Sequence, residues 1–292
     1  MLLPSNMKPF DKKLGADFVA NLPGSPGVYL VYGSDDQLIY VGKAKNLRRR
    51  LSQYRNAKRR KNHLKMRTIT QAAERIETRP CQTEAEACLL EAALIQDHRP
   101  KYNVAGAFSF MYPMVGVAFR QNQLVICYTT SPEELIGYQF FGAFRSRGLT
   151  RKTLLSLEIL LKFIAHPIQK NILRKMPETK KKSRYTTFYG FRQIEAPWVE
   201  LLADYFKGES SAALEHLVLA LIENTAARHS KKKVQSSLNY LKYFWKYEAR
   251  PLKEACSKTA YKTYPVPQKE RDFLFLRNRF GESYTDSKLV LR

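Results

Sequence analysis

The chain has 292 residues, with 50 Lys and Arg against 26 Asp and Glu, a formal charge of +24 at neutral pH. At about 150 residues per domain, this length suggests two domains and a core that needs no crosslinks. A hydrophobic fraction of 44%, with 17 Tyr, 16 Phe and 2 Trp, excludes a disordered polycation.

The N-terminal stretch from Met1 to Lys13 has no apolar centre of the kind that marks an export signal. A short helix is expected from Gly15 to Asn21, ended by the Pro and Gly of Leu22 to Gly27. Gly27 to Tyr32 and Gln37 to Val41 are β-branched and aromatic runs around the turn-rich Gly33-Ser34-Asp35-Asp36, which predicts an antiparallel hairpin. A helix follows, with Asn46 as N-cap and Leu47, Leu51 and Tyr54 on one face. Thr83 and Glu86 form a capping box before another helix, with Ala85, Leu89, Ala92 and Ile95 as its buried stripe. That helix is expected to end near His98, because Arg99 precedes proline.

A second hairpin is predicted from Met114–Phe119 and Leu124–Tyr128 around Gln121-Asn122-Gln123. Leu149 to Ile164 and Ala196 to Phe244 read as mainly helical, and Lys180-Lys181-Lys182 falls in a polar connection from Pro177 to Ser183. The longest apolar runs are too short or too charged for a bilayer, which needs about 20 residues. Cys81, Cys88, Cys127 and Cys256 have no CxxC spacing, so they read as reduced, mostly buried thiols rather than zinc ligands or disulfides. The expectation is a cytoplasmic monomer with no membrane segment.

Charge is unevenly spread. Twelve Lys and Arg and no acid lie between Lys43 and Arg67. Such a block is either a solvated helix face or a footprint for a phosphate backbone, with binding that weakens steeply as salt rises. Two further basic blocks, Lys170–Arg184 and Arg228–Lys253, make nucleic acid the first partner to consider.

The most specific feature is an ordered set: Gly27-Val28-Tyr29, Tyr40-Val41-Gly42-Lys43, Arg50, Glu91 and Asn103. It resembles the GIY-YIG nuclease family, and within it the N-terminal domain of the bacterial excinuclease-C proteins. The likeness extends through Asn21-Leu22-Pro23, Ala44 to Leu47, Glu84 to Glu91 and Arg99-Pro100-Lys101-Tyr102-Asn103. The resemblance implies an α/β (α+β) fold with a small mixed central sheet flanked by helices over residues 1–105. A mainly helical accessory region, β-hairpin first, would follow over 106–292 and contact DNA or a partner.

The resemblance also implies roles. Glu91 would be the single protein ligand of one Mg²⁺ or Mn²⁺; alone, a glutamate on an amphipathic helix beside Glu84 and Glu86 would pass for a solvated acid. Tyr40 would be the general base or orient the water, with Tyr29 holding water or phosphate, and the residues do not separate the two. A free phenol loses its proton near pH 10, so a base at neutral pH needs positive charge, which Lys43, Arg50 and the ion would bring. Arg50 offers a bidentate donor to the scissile phosphate and Lys43 a compact charge. Tyr54 would either bond a phosphate oxygen or edge the core, and Asn103 would fix the fold around the site. Lys45, Arg48, Arg49, Arg55, Arg59, Arg60 and Lys61 are the expected DNA contacts.

The implied activity is structure-specific, single-strand DNA incision, with the 3′ incision of bacterial nucleotide excision repair as the leading reading. The substrate would be damaged or branched duplex DNA, and the excinuclease-B protein a candidate partner. The full-length excinuclease-C protein carries a cysteine cluster, a second nuclease domain and helix-hairpin-helix repeats. This chain has no cysteine from Ser183 to Lys207, so no iron-sulfur cluster is expected there. The overall size resembles the family's short, single-nuclease homologue, and Ser210 to Leu241 resembles a partner-binding pair of helices. A non-catalytic DNA-binding adaptor and a restriction or mobile-element nuclease are the alternatives.

Overall fold

The computed structural model describes residues 7–103, 108, 111–120, 122–173 and 186–282. The polar connection at Lys180-Lys181-Lys182 and the turn residue Gln121 lie outside them. Two compact units emerge, one from Met1–Ser109 with Phe275–Arg292, the other from Phe110–Leu274.

In the first unit, α1 (Pro9–Leu14) precedes the position expected from the sequence. Pro9 starts it, and Gly15 ends it at φ 93°, a conformation open to glycine. β1 (Gly27–Tyr32) and β2 (Leu38–Ala44) form the expected hairpin, followed by α2 (Leu47–Arg55), α3 (Leu64–Ala72), β3 (Arg75–Pro80) and α4 (Glu84–His98). The sheet order is β2-β1-β3 with both pairings antiparallel, so the sheet is not mixed as expected. Strand β3, Arg-Ile-Glu-Thr-Arg-Pro, escapes sequence reading because its charged residues mask the alternation; Ile76 is its one buried side chain.

Central strand β1 is covered on both faces, which explains its continuous apolar run. Tyr29, Val31 and Tyr40 pack with Leu47, Leu51 and Tyr54 of α2 and Ile69 of α3. Val28, Leu30 and Val41 pack with Ala87, Leu94 and Ile95 of α4. Both helix starts follow the sequence. Asn46 Oδ1 accepts from Arg49 N at 2.8 Å, and Thr83 Oγ1 accepts from Glu86 N at 3.1 Å, while Glu86 reaches back to Gln82 N at 2.8 Å. In α4 the buried set is wider than the expected stripe, adding Ala87, Cys88 and Leu94 and leaving Ala92 half-buried. Arg99 ends α4 in the left-handed region.

The second unit opens on strands and continues mainly as helix, as expected, but its sheet is larger than one hairpin. β4 (Met114–Arg120) and β5 (Gln123–Thr129) form the anticipated hairpin. They belong to a sheet of five described strands with β6 (Gln139–Phe141), β7 (His166–Pro167) and β8 (Thr187–Arg192), in the order β6-β4-β5-β8-β7. The partners β6 and β8 are distant in sequence and gave no hairpin signal. Helices α5 (Arg147–Leu161), α6 (Lys170–Leu173), α7 (Pro197–Lys207), α8 (Ala212–Glu223), α9 (Thr225–His229), α10 (Lys231–Phe244), α11 (Arg250–Lys258) and α12 (Arg271–Phe280) complete the order. Among the described residues no helix is long and apolar enough to cross a membrane.

Aromatic packing centres this unit. The Phe144 and Phe244 rings meet edge-on at 4.8 Å, and Phe206 lies 5.9 Å from both Phe141 and Phe244. All four cysteines are buried free thiols, and burial pushes Cys127 up to about 12 and Cys256 up to about 11. Glu248, 5% exposed, accepts from Arg145 N at 2.6 Å and Ser146 N at 2.9 Å, satisfying two donors where α5 begins. Glu248→Ala removes the carboxylate from two part-buried donors and is expected to cost about 1–3 kcal/mol. Urea unfolding of both proteins would measure this, and an unchanged midpoint would contradict it.

Candidate active site

The site is built on edge strand β2. Period-two alternation turns Tyr40 and Gly42 toward α2, and Val41 and Lys43 toward α4. The outer edge of β2 would otherwise present bare backbone. Asn103 covers it, its amide accepting from Val41 N and donating to Val41 O, both at 2.8 Å. Its position is therefore that of a structural clamp, as the sequence suggests.

Gly42 pairs in register with Tyr29. A Cβ at position 42 would lie 2.5 Å from Tyr29 Cζ and 2.9 Å from Tyr40 Cε1, so only glycine lets both rings close over the strand. Gly27 answers a similar crowding, since a Cβ there would sit 2.5 Å from the Arg79 carbonyl oxygen.

Three phenols and a guanidinium converge. Tyr29 and Tyr54 hydroxyls are 3.0 Å apart, and Arg50 Nε donates to Tyr29 Oη at 3.3 Å. The Tyr29 and Tyr40 rings are 6.0 Å apart, the Tyr29 and Tyr54 rings 5.6 Å, and Arg50 lies 5.4 Å from the Tyr54 ring centre. Arg50 keeps a second donor on Gln53 Oε1 at 2.9 Å. Tyr54, 3% exposed, sits in this cluster as a core residue whose hydroxyl serves Tyr29.

Burial raises all three phenols well above the ordinary tyrosine range. Neighbouring phenols add to it, and Arg50 only partly offsets the effect at Tyr29 and Tyr54. At Tyr29 and Tyr54 desolvation outweighs the lowering effect of the Arg50 charge.

Beside the phenols lies an ion pair. Lys43 Nζ donates to Glu91 Oε2 at 2.5 Å, and Lys43 N donates to Glu91 Oε1 at 3.1 Å. The Glu91 side chain is 18% exposed and that of Lys43 41%. Burial works against the Lys43 charge, but the hydrogen bond and field of Glu91 prevail and raise its pKa. The Glu91 charge also reaches Tyr40. One carboxylate oxygen is thus fixed by backbone, while the other is held by a flexible, partly exposed ammonium.

That donor set suits a hard divalent ion that takes one carboxylate and completes its shell with water and phosphate, once the Lys43 ammonium swings aside. Among the described residues no group of three or more His, Cys, Asp and Glu gathers.

The basic face divides. Arg49, Arg59, Arg60 and Lys61 are exposed. Arg48 Nε donates to Leu22 O at 2.7 Å, Arg55 pairs with the buried Asp11 at 2.7 Å, and Lys45 pairs with Glu84 at 2.8 Å. Arg48, itself exposed, and the half-buried Arg55 thus also tie α2 to the segments before β1. Two further residues belong to the site. Gln53 orients Arg50, and the Lys65 ammonium lies 4.9 Å from the Tyr40 ring centre. Sequence offered only the basic block as a signal for Lys65, and for Gln53 only its spacing three residues after Arg50.

Residues 25–104 match the family model described as the UvrC-like GIY-YIG domain. UvrABC system protein C of Hydrogenovibrio crunogenus is 36% identical over 48% of this chain and 22% of its own length. The protein of that name from Citrifermentans bemidjiense is 28% identical over 94% of this chain and 42% of its own. The chain thus spans well under half the length of these curated relatives. The solved GIY-YIG N-terminal endonuclease domain of UvrC from Thermotoga maritima, bound to magnesium as its catalytic divalent cation, is 39% identical. That match covers 32% of this chain and 96% of that one, with a TM-score of 0.27. The segment from residue 25 to residue 104, which holds the paired tyrosine triplets, Arg50 and Glu91, thus matches the UvrC-like GIY-YIG domain.

Proposed function

We propose that this chain is a divalent-cation-dependent DNA endonuclease that cuts one strand of damaged or branched duplex DNA, making the 3′ incision of bacterial nucleotide excision repair. The reading rests on one observation: Tyr29, Tyr40, Tyr54 and Arg50 converge beside the Lys43–Glu91 pair within a UvrC-like GIY-YIG domain.

Hydrolysis of a phosphodiester requires a placed water, a sink for the growing charge on phosphorus and neutralisation of the departing oxygen. A single Mg²⁺ or Mn²⁺ at Glu91 would supply Lewis-acid charge to the phosphate. Arg50, aligned by Gln53 and Tyr29, offers guanidinium donors to the phosphate oxygens. Tyr40 enters as a phenol and orients the attacking water, whose proton is lost to solvent as the new bond to phosphorus forms. Tyr29 and Tyr54 share a hydrogen bond and hold the phosphate side of the pocket. Lys43, released from Glu91, faces the departing oxygen.

DNA approaches along the exposed cations. A groove of about 590 Å³ lined in part by Arg49, Gln53, Asn62 and His63 adjoins the Arg50–Gln53 pair. These contacts address phosphate and carry no base sequence, so DNA geometry is the cue. The excinuclease-B protein is the proposed partner, and Ser210–Leu241, which contains α8, α9 and most of α10, its proposed contact region. Residues 1–105 form the proposed nuclease domain and 106–292 the accessory region. The proposed setting is the cytoplasm, with the chain acting as a monomer.

Glu91→Gln is expected to abolish Mg²⁺-dependent nicking of lesion-bearing duplex while DNA affinity stays unchanged; nicking at the wild-type rate would refute the ligand assignment. Joint replacement of Arg59, Arg60 and Lys61 by Ala should flatten the slope of log affinity against log salt by about 2 to 3. Arg48→Ala should leave that slope unchanged and lower thermal stability. Fluorescence anisotropy across a salt series measures both slopes, and equal slopes in all three proteins would reject the phosphate footprint.

A further inference from the structure

The second unit carries an aromatic and cationic surface outside the nuclease site. α10 runs without a break into one π-helical turn, Trp245–Ala249, and on into α11. Pro251 accounts for the turn: it lacks an N–H and its ring crowds the carbonyl four residues back, at Tyr247, so the ladder widens there.

On the outer face of this helix Tyr243 and Tyr247 are 54% and 56% exposed. Buried tyrosines elsewhere in this unit pack their rings into the core, as Tyr205 does. These two instead stack on each other in solvent, with ring centres 5.9 Å apart and planes 16° apart. Lys242 and Lys246 flank them, and the Lys246 ammonium is 5.3 Å from the Tyr247 ring centre.

The surrounding charge has one sign. From Thr225 to Lys253 there are eight Lys and Arg and one acid, Glu248, and two of these cations, Arg250 and Lys253, pair with Glu254 and Glu209. Glu248 is turned inward onto Arg145 N and Ser146 N, so it does not offset the cations outside. Arg250, the next cation along the helix, is held by Glu254 at 2.8 Å and marks where the free positive face ends.

A pair of parallel phenol rings costs free energy when left in water, because apolar ring faces remain hydrated. Flanking ammonium groups repel basic partners and attract polyanions. The ligand class that combines flat π-faces with regularly spaced negative charge is single-stranded or locally unpaired nucleic acid, whose bases stack on aromatic side chains while its phosphates meet cations. A paired duplex hides its base faces and does not offer this combination.

We propose that Tyr243 and Tyr247, flanked by Lys242 and Lys246, form a stacking platform for unpaired DNA bases. This deepens the reading of the chain as a DNA nuclease, and assigns its second unit a preference for the unpaired strand at an opened or distorted site.

The test uses the full chain without divalent cation, so that cleavage plays no part and the outcome is independent of the nuclease reading. Labelled oligothymidylate and an abasic oligonucleotide of equal length and charge are titrated by fluorescence anisotropy. The wild type should bind the base-bearing strand more tightly. Tyr243→Ala with Tyr247→Ala should weaken that binding by about tenfold or more, leaving abasic affinity and the salt slope unaltered. Tyr243→Phe with Tyr247→Phe should retain wild-type affinity, because the rings remain. Equal wild-type affinity for the two strands, or full oligothymidylate affinity in the alanine variant, would overturn the proposal; the latter is the outcome expected if the platform serves a protein instead.

Discussion

Tyr29 crosses Gly42 so closely that a methyl group at position 42 would collide with its ring, and the rest of the candidate site is arranged around that approach. With no side chain at Gly42, the Tyr29 hydroxyl reaches Tyr54 and Arg50 from α2, and Tyr40 leans in from two residues before it on β2. The same strand delivers Lys43 to the other face, where α4 presents Glu91. Asn103 then seals the outer edge of β2 and fixes the height of all these groups. One strand without a side chain at its centre thus joins the phenol cluster to the carboxylate.

The electrostatics follow from that packing. The phenols lie in the core and hold their protons more tightly than free tyrosine does. Arg50 is braced by a phenol and an amide, which hold its fork in place. Glu91 is bound at one oxygen by backbone and at the other by a partly exposed lysine side chain. This combination orients a carboxylate without committing it, which is what a site that exchanges a lysine for a cation requires.

Much of the first unit was legible because its signals are local. The hairpin, the Asn46 cap and the Thr83 box are set by residues within a few positions of one another. The tyrosine triplets and Glu91 were legible only as an ordered motif, since each alone reads as strand packing or a solvated acid. Non-local pairing was not legible. β3 is charged along its length and joins β1 from far along the chain, and β6 and β8 complete the second sheet through distant partners. The basic block also hid two kinds of residue. Arg48 and Arg55 each hold a partner within the chain, a role that charge alone does not reveal, although Arg48 is as exposed as Arg59, Arg60 and Lys61. Tyr243 and Tyr247 show the helical spacing of a core pair, and only their exposure reveals a surface.

The central claim is that Glu91 exchanges Lys43 for a divalent cation beside the phenols. A crystal of the full chain grown with manganese, with anomalous scattering recorded above the manganese edge, addresses it most directly. The account predicts one anomalous peak at coordination distance from a Glu91 carboxylate oxygen, with Lys43 Nζ displaced from that oxygen. An unbroken Lys43–Glu91 pair at saturating manganese, with no peak among Tyr29, Tyr40 and Arg50, would contradict it.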